Sequence, residues 1–261
     1  MQKNNGLNLE DIFSHEFKTP LAIILNNANN IERRYAEGRL VETDLQQTIA
    51  SIRRCCNLLS MLSNNMALTV SESKKMKPKP ILYDLAEQLH CICFMTNEMF
   101  NDKNIKINFT SKTCPAFFYA DPSMILLIIT NLISNGIKYN ISQEKIIDIK
   151  LEINDGNLLI TVHDNGIGIP KNDINKVCAK HFRSNNKANM PATGLGLGLY
   201  IVSEAVKAHG GKLKIASTEK GTTFSIFMPG SNKAVISSPS DTSVRLETLE
   251  LCYADLFTMY Q

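Results

Sequence analysis

The 261-residue sequence lacks the marks of a membrane-spanning, a secreted or a nucleic-acid-binding protein. No apolar run reaches the roughly 18 residues that a transmembrane helix needs, and the most apolar stretch, 124–133, is short and interrupted by Thr130 and Asn131. The chain does not begin with a basic segment followed by an apolar one, so we expect no secretory signal peptide. Its formal net charge of +3 is too small for a dedicated nucleic-acid-binding protein.

A disulfide framework is also missing. The seven cysteines are an odd number, and Cys91 and Cys93 are one residue apart, which is the wrong spacing for a zinc knuckle. We therefore expect seven small apolar side chains in a reducing compartment, and we place the protein in the cytoplasm. The hydrophobic content of 44% and the charged content of 20% are ordinary for a globular chain of one large or two modest domains.

Two stretches near the N-terminus have helical periodicity. Apolar residues recur at gaps of three and four from Leu7 to Tyr35 and again from Leu45 to Met66, and Gly38 interrupts the pattern between them. The spacing predicts two long helices that form an antiparallel hairpin within residues 1–70. Because one hairpin leaves its apolar stripe uncovered, we expect a homodimer whose two hairpins form a four-helix bundle.

The first of these helices contains an unusual segment, Ser14 to Leu21. His15 is followed directly by Glu16, and Pro20 lies in the helix interior, where a proline costs about 3 kcal/mol unless a kink is wanted. This pattern indicates that the segment serves something other than packing. The other histidines have no comparable context, and we expect structural roles for them: His90, His163, His181 and His209.

A polar, proline-containing linker at residues 71–80 separates the hairpin from a part of mixed pattern, residues 81–230. This part predicts an α+β sandwich, with helices over one face of a mixed sheet. The expected helices are 82–100, 121–139 and 197–209, and the expected strands are 105–110, 116–120, 146–153, 158–163, 213–217 and 222–227. We assign no role to the tail, residues 231–261; a mobile linker followed by a helix docked on its own chain is the simplest interpretation.

Three motifs in this second part can carry chemistry. Asp164 to Pro170 follows a strand and has alternating glycines, which suits a plain turn or a ligand lying close to the backbone, and its carboxylate can accept a hydrogen bond from an exocyclic amine. Gly194 to Leu199 precedes a helix, which suits a hinge or a phosphate site. Asn131, Asn135 and Lys138 share one helix face, either as a solvated stripe or as ligands for Mg²⁺ and phosphate.

In order, spacing and context, these motifs and the segment around His15 resemble the transmitter module of a two-component sensor histidine kinase. Four segments are similar to the family's H box, N box and two glycine boxes, and a fifth falls where the family has its F box: Ser14–Leu21, Asn131–Tyr139, Asp164–Gly168, Gly194–Gly198 and Val177–Ser184. The resemblance covers about residues 7–229. It implies a multidomain fold, with a dimerisation and histidine-phosphotransfer (HisKA) hairpin followed by an α/β-sandwich ATP-binding domain of the Bergerat or GHKL type.

The resemblance also implies a site for ATP and Mg²⁺. Asp164 would bind the adenine amine, Asn135 would ligate Mg²⁺ with Asn131 beside it, and Arg183 would reach the γ-phosphate. Lys138 would contact phosphate and Tyr139 would pack near the base. The implied nucleotide-binding set is completed by Gly166, Gly168, Thr193, Gly194, Leu195, Gly196, Leu197 and Gly198.

In the implied reaction, the neutral imidazole of His15 attacks the γ-phosphorus of ATP, while Glu16 accepts a hydrogen bond from the other ring nitrogen. The phosphoryl group would then pass to an aspartate in the receiver domain of a response regulator. Thr19 lies one turn after His15, at the position that in the family helps to orient water for dephosphorylation of the regulator. A regulator phosphatase activity is therefore a further expectation.

Departures from the family pattern raise an alternative. Cys178 and His181 occupy F-box positions that are usually phenylalanine, Ala192 replaces a common glycine, and Gly136 and Gly198 stand where alanine or serine is usual. The alternative function is a degenerate, catalytically weak nucleotide-binding scaffold for a regulator. A different ATPase of the GHKL type is a second alternative, but those proteins do not need the H-box hairpin.

Overall fold

The computed structural model describes residues 9–70, 76–101, 103–183 and 196–230, together with positions 244, 248, 249, 252, 253 and 256. In the first two helices, side chains are described at positions 17–60, 62 and 63. Among the described helices, none combines the length and the apolar character needed to cross a membrane. The seven cysteines, all of which lie in the described part, form no disulfide.

Two long helices form where the periodicity predicts them. Helix α1 spans Leu9–Ala36 and runs without interruption through Pro20, and helix α2 spans Glu42–Val70. Gly38 lies in the turn between them with a φ of 65°, a conformation that favours glycine. The Asn27 amide donates to the Ser51 hydroxyl across the pair at 3.0 Å, and Arg34 pairs with Asp44 near the turn. The two helices therefore pack against each other from the turn to the Asn27–Ser51 pair.

The start of the second part differs from the prediction. A short strand β1, Ile81–Asp84, precedes helix α3, Leu85–Met99, where a single helix from Leu82 is expected. The Asp84 carboxylate caps the helix by accepting from the backbone N–H groups of Ala86 and Glu87, so the helix begins after Asp84. Strand β1 pairs antiparallel with β3, Phe117–Ala120, whose paired residues lie 33 to 39 positions away, so local periodicity cannot reveal the pairing.

The other predicted elements of this part are confirmed. In chain order they are β2 (Ile105–Ser111), α4 (Pro122–Lys138), β4 (Lys145–Asn154), β5 (Asn157–Asp164), α5 (Gly198–Ala208), β6 (Lys212–Thr218) and β7 (Gly221–Met228). The sheet order is β2-β4-β5-β7-β6, and only the β2–β4 pair is parallel. Alternate residues of the central strands are buried against α3, α4 and α5. The sandwich of one helical layer on a mixed sheet is thus observed.

The C-terminal segment contributes to this core. Leu249, Tyr253 and Leu256 have no exposed surface and join the same apolar cluster as α3 and α4. The Tyr253 ring meets the Phe100 ring edge-on with centroids 6.0 Å apart, and the Tyr253 hydroxyl lies 3.2 Å from the Thr96 hydroxyl. These three residues of the tail, to which the sequence assigns no role, therefore pack on the helical layer.

A smaller cluster joins the helix pair to the sandwich. Leu62 of α2 packs with Leu197 and Ile201 at the start of α5, and Phe17 of α1 and Leu58 border this cluster. Leu62 is 2% exposed and Ile201 is fully buried. The segment just after His15 is thereby held against the beginning of α5.

Candidate nucleotide-binding site

A cavity of about 580 Å³ opens between α4, the loop after β5, strand β7 and the segment that ends at Arg183. Its size is that of a small-molecule site. Five residues of the predicted nucleotide-binding set line it: Asn135, Tyr139, Asp164, Gly168 and Arg183. Residues that are separated by up to 48 positions in the sequence thus meet at one opening.

Asp164 is the buried acid of the cavity. It ends β5, is 8% exposed, and its Oδ1 accepts from the Gly166 N–H at 2.9 Å. Burial raises the pKa of the Asp164 carboxyl above its usual range, while hydrogen bonds from the backbone N–H groups of Gly166 and Thr222 oppose that shift. A desolvated carboxylate held by two backbone donors is a rigid hydrogen-bond acceptor, as the recognition of an exocyclic amine requires.

The loop after Asp164 requires glycine at position 168. Gly168 has a φ of 72°, and a Cβ built on it would lie 1.8 Å from the Thr218 carbonyl oxygen. A Cβ at Gly166 would lie 2.6 Å from the Tyr139 carbonyl oxygen. The loop therefore lies directly against the end of α4 on one side and the end of β6 on the other. The two glycines are therefore required by packing against the protein's own backbone, and Gly168 also lines the cavity.

The two amides of α4 differ in their contacts. Asn135 lines the cavity, whereas the Asn131 Nδ2 donates to the Leu127 carbonyl at 2.8 Å. A Cβ at Gly198 would lie 2.9 Å from the Asn131 Oδ1 and 3.8 Å from the Asn135 Nδ2. Glycine at position 198 therefore brings the N-terminus of α5 close to both amides. Lys138, half-buried at the C-terminal end of α4, is not among the residues that line the cavity.

The far side of the cavity is made by the segment before the second glycine box. Phe182 and Arg183 line it, and a Cβ at Gly196 would meet the Phe182 carbonyl oxygen at 2.8 Å. Leu197 instead faces the helix pair, since it packs with Leu62. Thr193, Gly194 and Leu195 lie outside the described residues.

The predicted catalytic residues belong to α1. His15 and Glu16 lie in this helix, at positions whose side chains are outside the described part, and Thr19 is exposed. Phe17, two residues after His15, borders the cluster that contains Leu197. The backbone at His15 is therefore anchored next to the start of α5, the helix that follows the second glycine box.

Sequence reasoning missed Thr222. It is 4% exposed, lines the cavity, and pairs across β5 and β7 with Asp164. Its hydroxyl lies 2.9 Å from the Ser217 hydroxyl, which also accepts from the Ile169 N–H at 2.7 Å. A threonine in an alternating strand carries no local signal of function, and only the pairing of β5 with β7 brings Thr222 to Asp164.

Residues 120–232 match the model of the histidine kinase-, DNA gyrase B- and HSP90-like ATPase family. Among curated proteins, the hybrid signal transduction histidine kinase C of Dictyostelium discoideum is 26% identical over 238 residues, which is 87% of this chain and 19% of that protein. The signal transduction histidine-protein kinase ArlS of Staphylococcus aureus is 27% identical over 215 residues, 82% of this chain and 46% of that protein. The chain thus spans less than half the length of these relatives.

Solved structures show the same fold. Full-length ShkA in complex with AMPPNP superposes with a TM-score of 0.62 at 20% identity, over 87% of this chain and 46% of that one. Histidine kinase ThkA in complex with the response regulator protein TrrA superposes with a TM-score of 0.58 at 21% identity, over 84% of this chain and 60% of that one. At such identities the superpositions establish architecture alone, and their coverage of more than 80% of this chain exceeds the sandwich.

Proposed function

We propose that this chain autophosphorylates His15 from Mg-ATP. The proposal is supported by the match of residues 120–232 to the histidine kinase-, DNA gyrase B- and HSP90-like ATPase family and by the similarity of the chain to histidine kinases. The phosphoryl group then passes to an aspartate of a response-regulator receiver domain. The domain division that goes with this proposal is a phosphotransfer hairpin at 1–70, a linker at 71–80, a catalytic domain at 81–230 and a tail at 231–261.

The observation that carries the proposal is that the buried carboxylate of Asp164 lines the same cavity as Asn135, Tyr139 and Arg183. An adenine amine donates a hydrogen bond, which Asp164 can accept, and the face of Tyr139 can pack beside the ring. Arg183 offers a planar cation with several donors for the outer phosphates. Asp164 and Tyr139 would form the base end of the proposed site, and Asn135 and Arg183 its phosphate end, as a purine nucleoside triphosphate requires.

Mg²⁺ fits the chemistry of the phosphate end. Among the described residues, no group of three or more histidine, cysteine, aspartate or glutamate side chains is arranged to hold a metal. Mg²⁺ commonly keeps several waters and takes few protein ligands beside the nucleotide phosphates. The Asn135 amide oxygen would be its protein ligand, and the ion would neutralise charge on the phosphates as the terminal bond breaks.

The phosphoryl transfer is then a single displacement. One ring nitrogen of neutral His15 forms a bond to the γ-phosphorus while the bond from that phosphorus to the bridging oxygen breaks, and ADP leaves. Glu16 accepts a hydrogen bond from the other ring nitrogen and stabilises the positive charge that develops on the ring. Thr19, exposed one turn later, would orient water for dephosphorylation of the regulator.

The proposed protein is a cytoplasmic homodimer. Three apolar side chains of the helix pair are left exposed: Leu21 and Leu25 of α1 and Ile49 of α2 are 46%, 63% and 45% exposed. Covering them with the same stripe of a second copy gives a four-helix bundle. ThkA, which shares the fold over 84% of this chain, is seen with a response regulator, and this supports a receiver domain as the second partner.

A scaffold without kinase activity is the second candidate. The reason to test it is that Cys178 and His181, in the segment that leads to the cavity wall, stand where the histidine kinase pattern usually has phenylalanine, and that His181 has a φ of 61°. Such a protein would bind nucleotide at Asp164 but leave His15 unmodified.

Incubation of the full chain with γ-labelled ATP and Mg²⁺ separates the two candidates. The kinase requires acid-labile, base-stable label in the native chain, and its loss in both His15→Ala and Asn135→Ala. His90→Ala is the matched control, because His90 is an exposed histidine of α3 that does not line the cavity; its label should equal that of the native chain. ATP binding without label in the native chain would establish the scaffold instead.

A further inference from the structure

Beside the cavity, the side chains of the buried Asn140 and the half-buried Asn165 form a hydrogen-bond network. The Asn140 Nδ2 donates to the Asn165 Oδ1 at 2.6 Å, and the Ile146 N–H donates to the same oxygen at 2.8 Å. The Asn165 Nδ2 donates to the Glu144 carbonyl at 3.0 Å, and the Asn140 Oδ1 accepts from the Ser142 N–H at 2.9 Å. The Ser142 hydroxyl donates to the Asn165 carbonyl at 3.1 Å. We call this set the amide staple.

The amide staple joins the two loops that carry the base end of the cavity. Asn165 directly follows Asp164, and Asn140 directly follows Tyr139, yet neither asparagine lines the cavity. The same two loops meet once more, where the Ile167 N–H donates to the Tyr139 carbonyl at 3.0 Å. Holding one loop against the other therefore sets the distance between the Asp164 carboxylate and the Tyr139 ring.

Apolar packing does not hold this loop. Ile141, between Asn140 and Ser142, is 77% exposed, whereas Asn140 is 3% exposed. The loop is thus anchored by its polar side chain rather than by its apolar one. Removing one partner of the amide pair leaves the other without its hydrogen bond. Replacing either asparagine alone should therefore disturb the loop.

We propose that Asn140 and Asn165 are positioning residues for the nucleotide base, which act together through the bond between their amides to fix Asp164 opposite Tyr139. This inference rests on the proposed nucleotide binding. If the amide staple is broken, the Asp164 carboxylate can move away from the adenine amine whose hydrogen bond it accepts. The site then binds adenine less selectively over guanine, which presents a carbonyl oxygen at that position.

The test measures the dissociation constants of ADP and GDP for the full chain by titration calorimetry. Asn140→Ala and Asn165→Ala should each weaken ADP binding about tenfold, equivalent to about 1.4 kcal/mol. The double variant should lose clearly less than the hundredfold that two independent effects would give, since both changes break the shared bond between Asn140 and Asn165. The ratio of the GDP to the ADP dissociation constant should fall in all three. Asn108→Ala is the matched control, because it breaks a 2.8 Å bond to Asp148 between β2 and β4, away from the cavity.

The proposal is overturned if the single variants bind ADP within twofold of the native chain, if their losses multiply, or if the GDP to ADP ratio stays unchanged. Ser142→Ala removes only the hydroxyl bond to the Asn165 carbonyl, so it carries the same test if an alanine variant of either asparagine does not fold. An unchanged ratio in Ser142→Ala would then refute the proposal. Failure of the native chain itself to bind ADP would refute the proposed nucleotide binding, and the positioning role with it, whereas native binding with unaffected variants would refute the positioning role alone.

Discussion

Replacing Tyr253 with alanine should destabilise the protein strongly, although Tyr253 lies outside the part that matches the ATPase family. Tyr253 has no exposed surface and packs edge-on against Phe100. Truncating a buried aromatic side chain to alanine costs about 3 to 5 kcal/mol. Since 1 kcal/mol shifts the melting temperature of a domain of this size by about 2 to 4 °C, we expect Tm to fall by on the order of 10 °C.

Tyr253→Phe separates packing from hydrogen bonding at the same position. The Thr96 hydroxyl donates to the Ile92 carbonyl at 2.6 Å, so it accepts from the Tyr253 hydroxyl. Phenylalanine keeps the ring and removes this one bond, which costs about 0.5 to 1.5 kcal/mol. Burial raises the pKa of Tyr253 well above its ordinary value, so the hydroxyl stays a donor and the cost should not change between neutral and moderately alkaline pH.

The sequence contains no tryptophan, so unfolding is best followed by far-UV circular dichroism during heating or urea titration. Tyr35→Ala is the matched control, because Tyr35 is 76% exposed and its removal should leave Tm within about 1 °C. If Tyr253→Ala melts together with Tyr35→Ala and the native chain, the tail is not packed on α3 and α4 in solution. The account of the C-terminal segment would then be wrong.

Three further changes test the site and its support. Asp164→Asn should raise the free energy of unfolding of the nucleotide-free protein at pH 7. Burial raises the folded-state pKa of Asp164 above its unfolded value, so ionisation of this carboxyl lowers stability above the folded pKa. The stability gain of the asparagine variant should therefore shrink as the pH falls towards the unfolded pKa, which urea titrations at several pH values will measure. The same variant should weaken ADP binding by about 10- to 100-fold, measured by calorimetry, since it removes a charged acceptor. Gly168→Ala should abolish ADP binding and lower Tm, as its Cβ would overlap the Thr218 carbonyl, and a variant that binds ADP normally would contradict the loop geometry. Leu62→Ala should lower Tm through its contact with Ile201, at a cost of about 2 to 5 kcal/mol, and an unchanged melting curve would show that the helix pair does not dock there.

Local pattern was enough to predict most of the fold. The heptad-like gaps in α1 and α2, the Asp121–Pro122 start of α4 and the alternation of β4 and β5 are all set by residues a few positions apart. Strand β1 escaped prediction because its partner β3 is distant in sequence, and four residues carry too little periodicity to distinguish a strand from the first turn of α3.

In the candidate site, too, some residues could be predicted from the sequence and others could not. Asn135, Asp164 and Gly168 are recognisable from the sequence, because an amide on a helix face, a carboxylate after a strand and alternating glycines are local chemical signatures. The different roles of Asn131 and Asn135 were not recognisable, since they depend on how closely α5 approaches at Gly198.

By itself, then, the sequence determined the order of the elements and the chemical groups available to bind a nucleotide, because both depend on neighbouring residues. Only the tertiary structure decided that Thr222 lies opposite Asp164, that the Asn140 and Asn165 amides meet, and that Tyr253 completes the core. These three facts join residues 25 to 157 positions apart, and strand register and helix packing, which act across such separations, leave no trace in local composition.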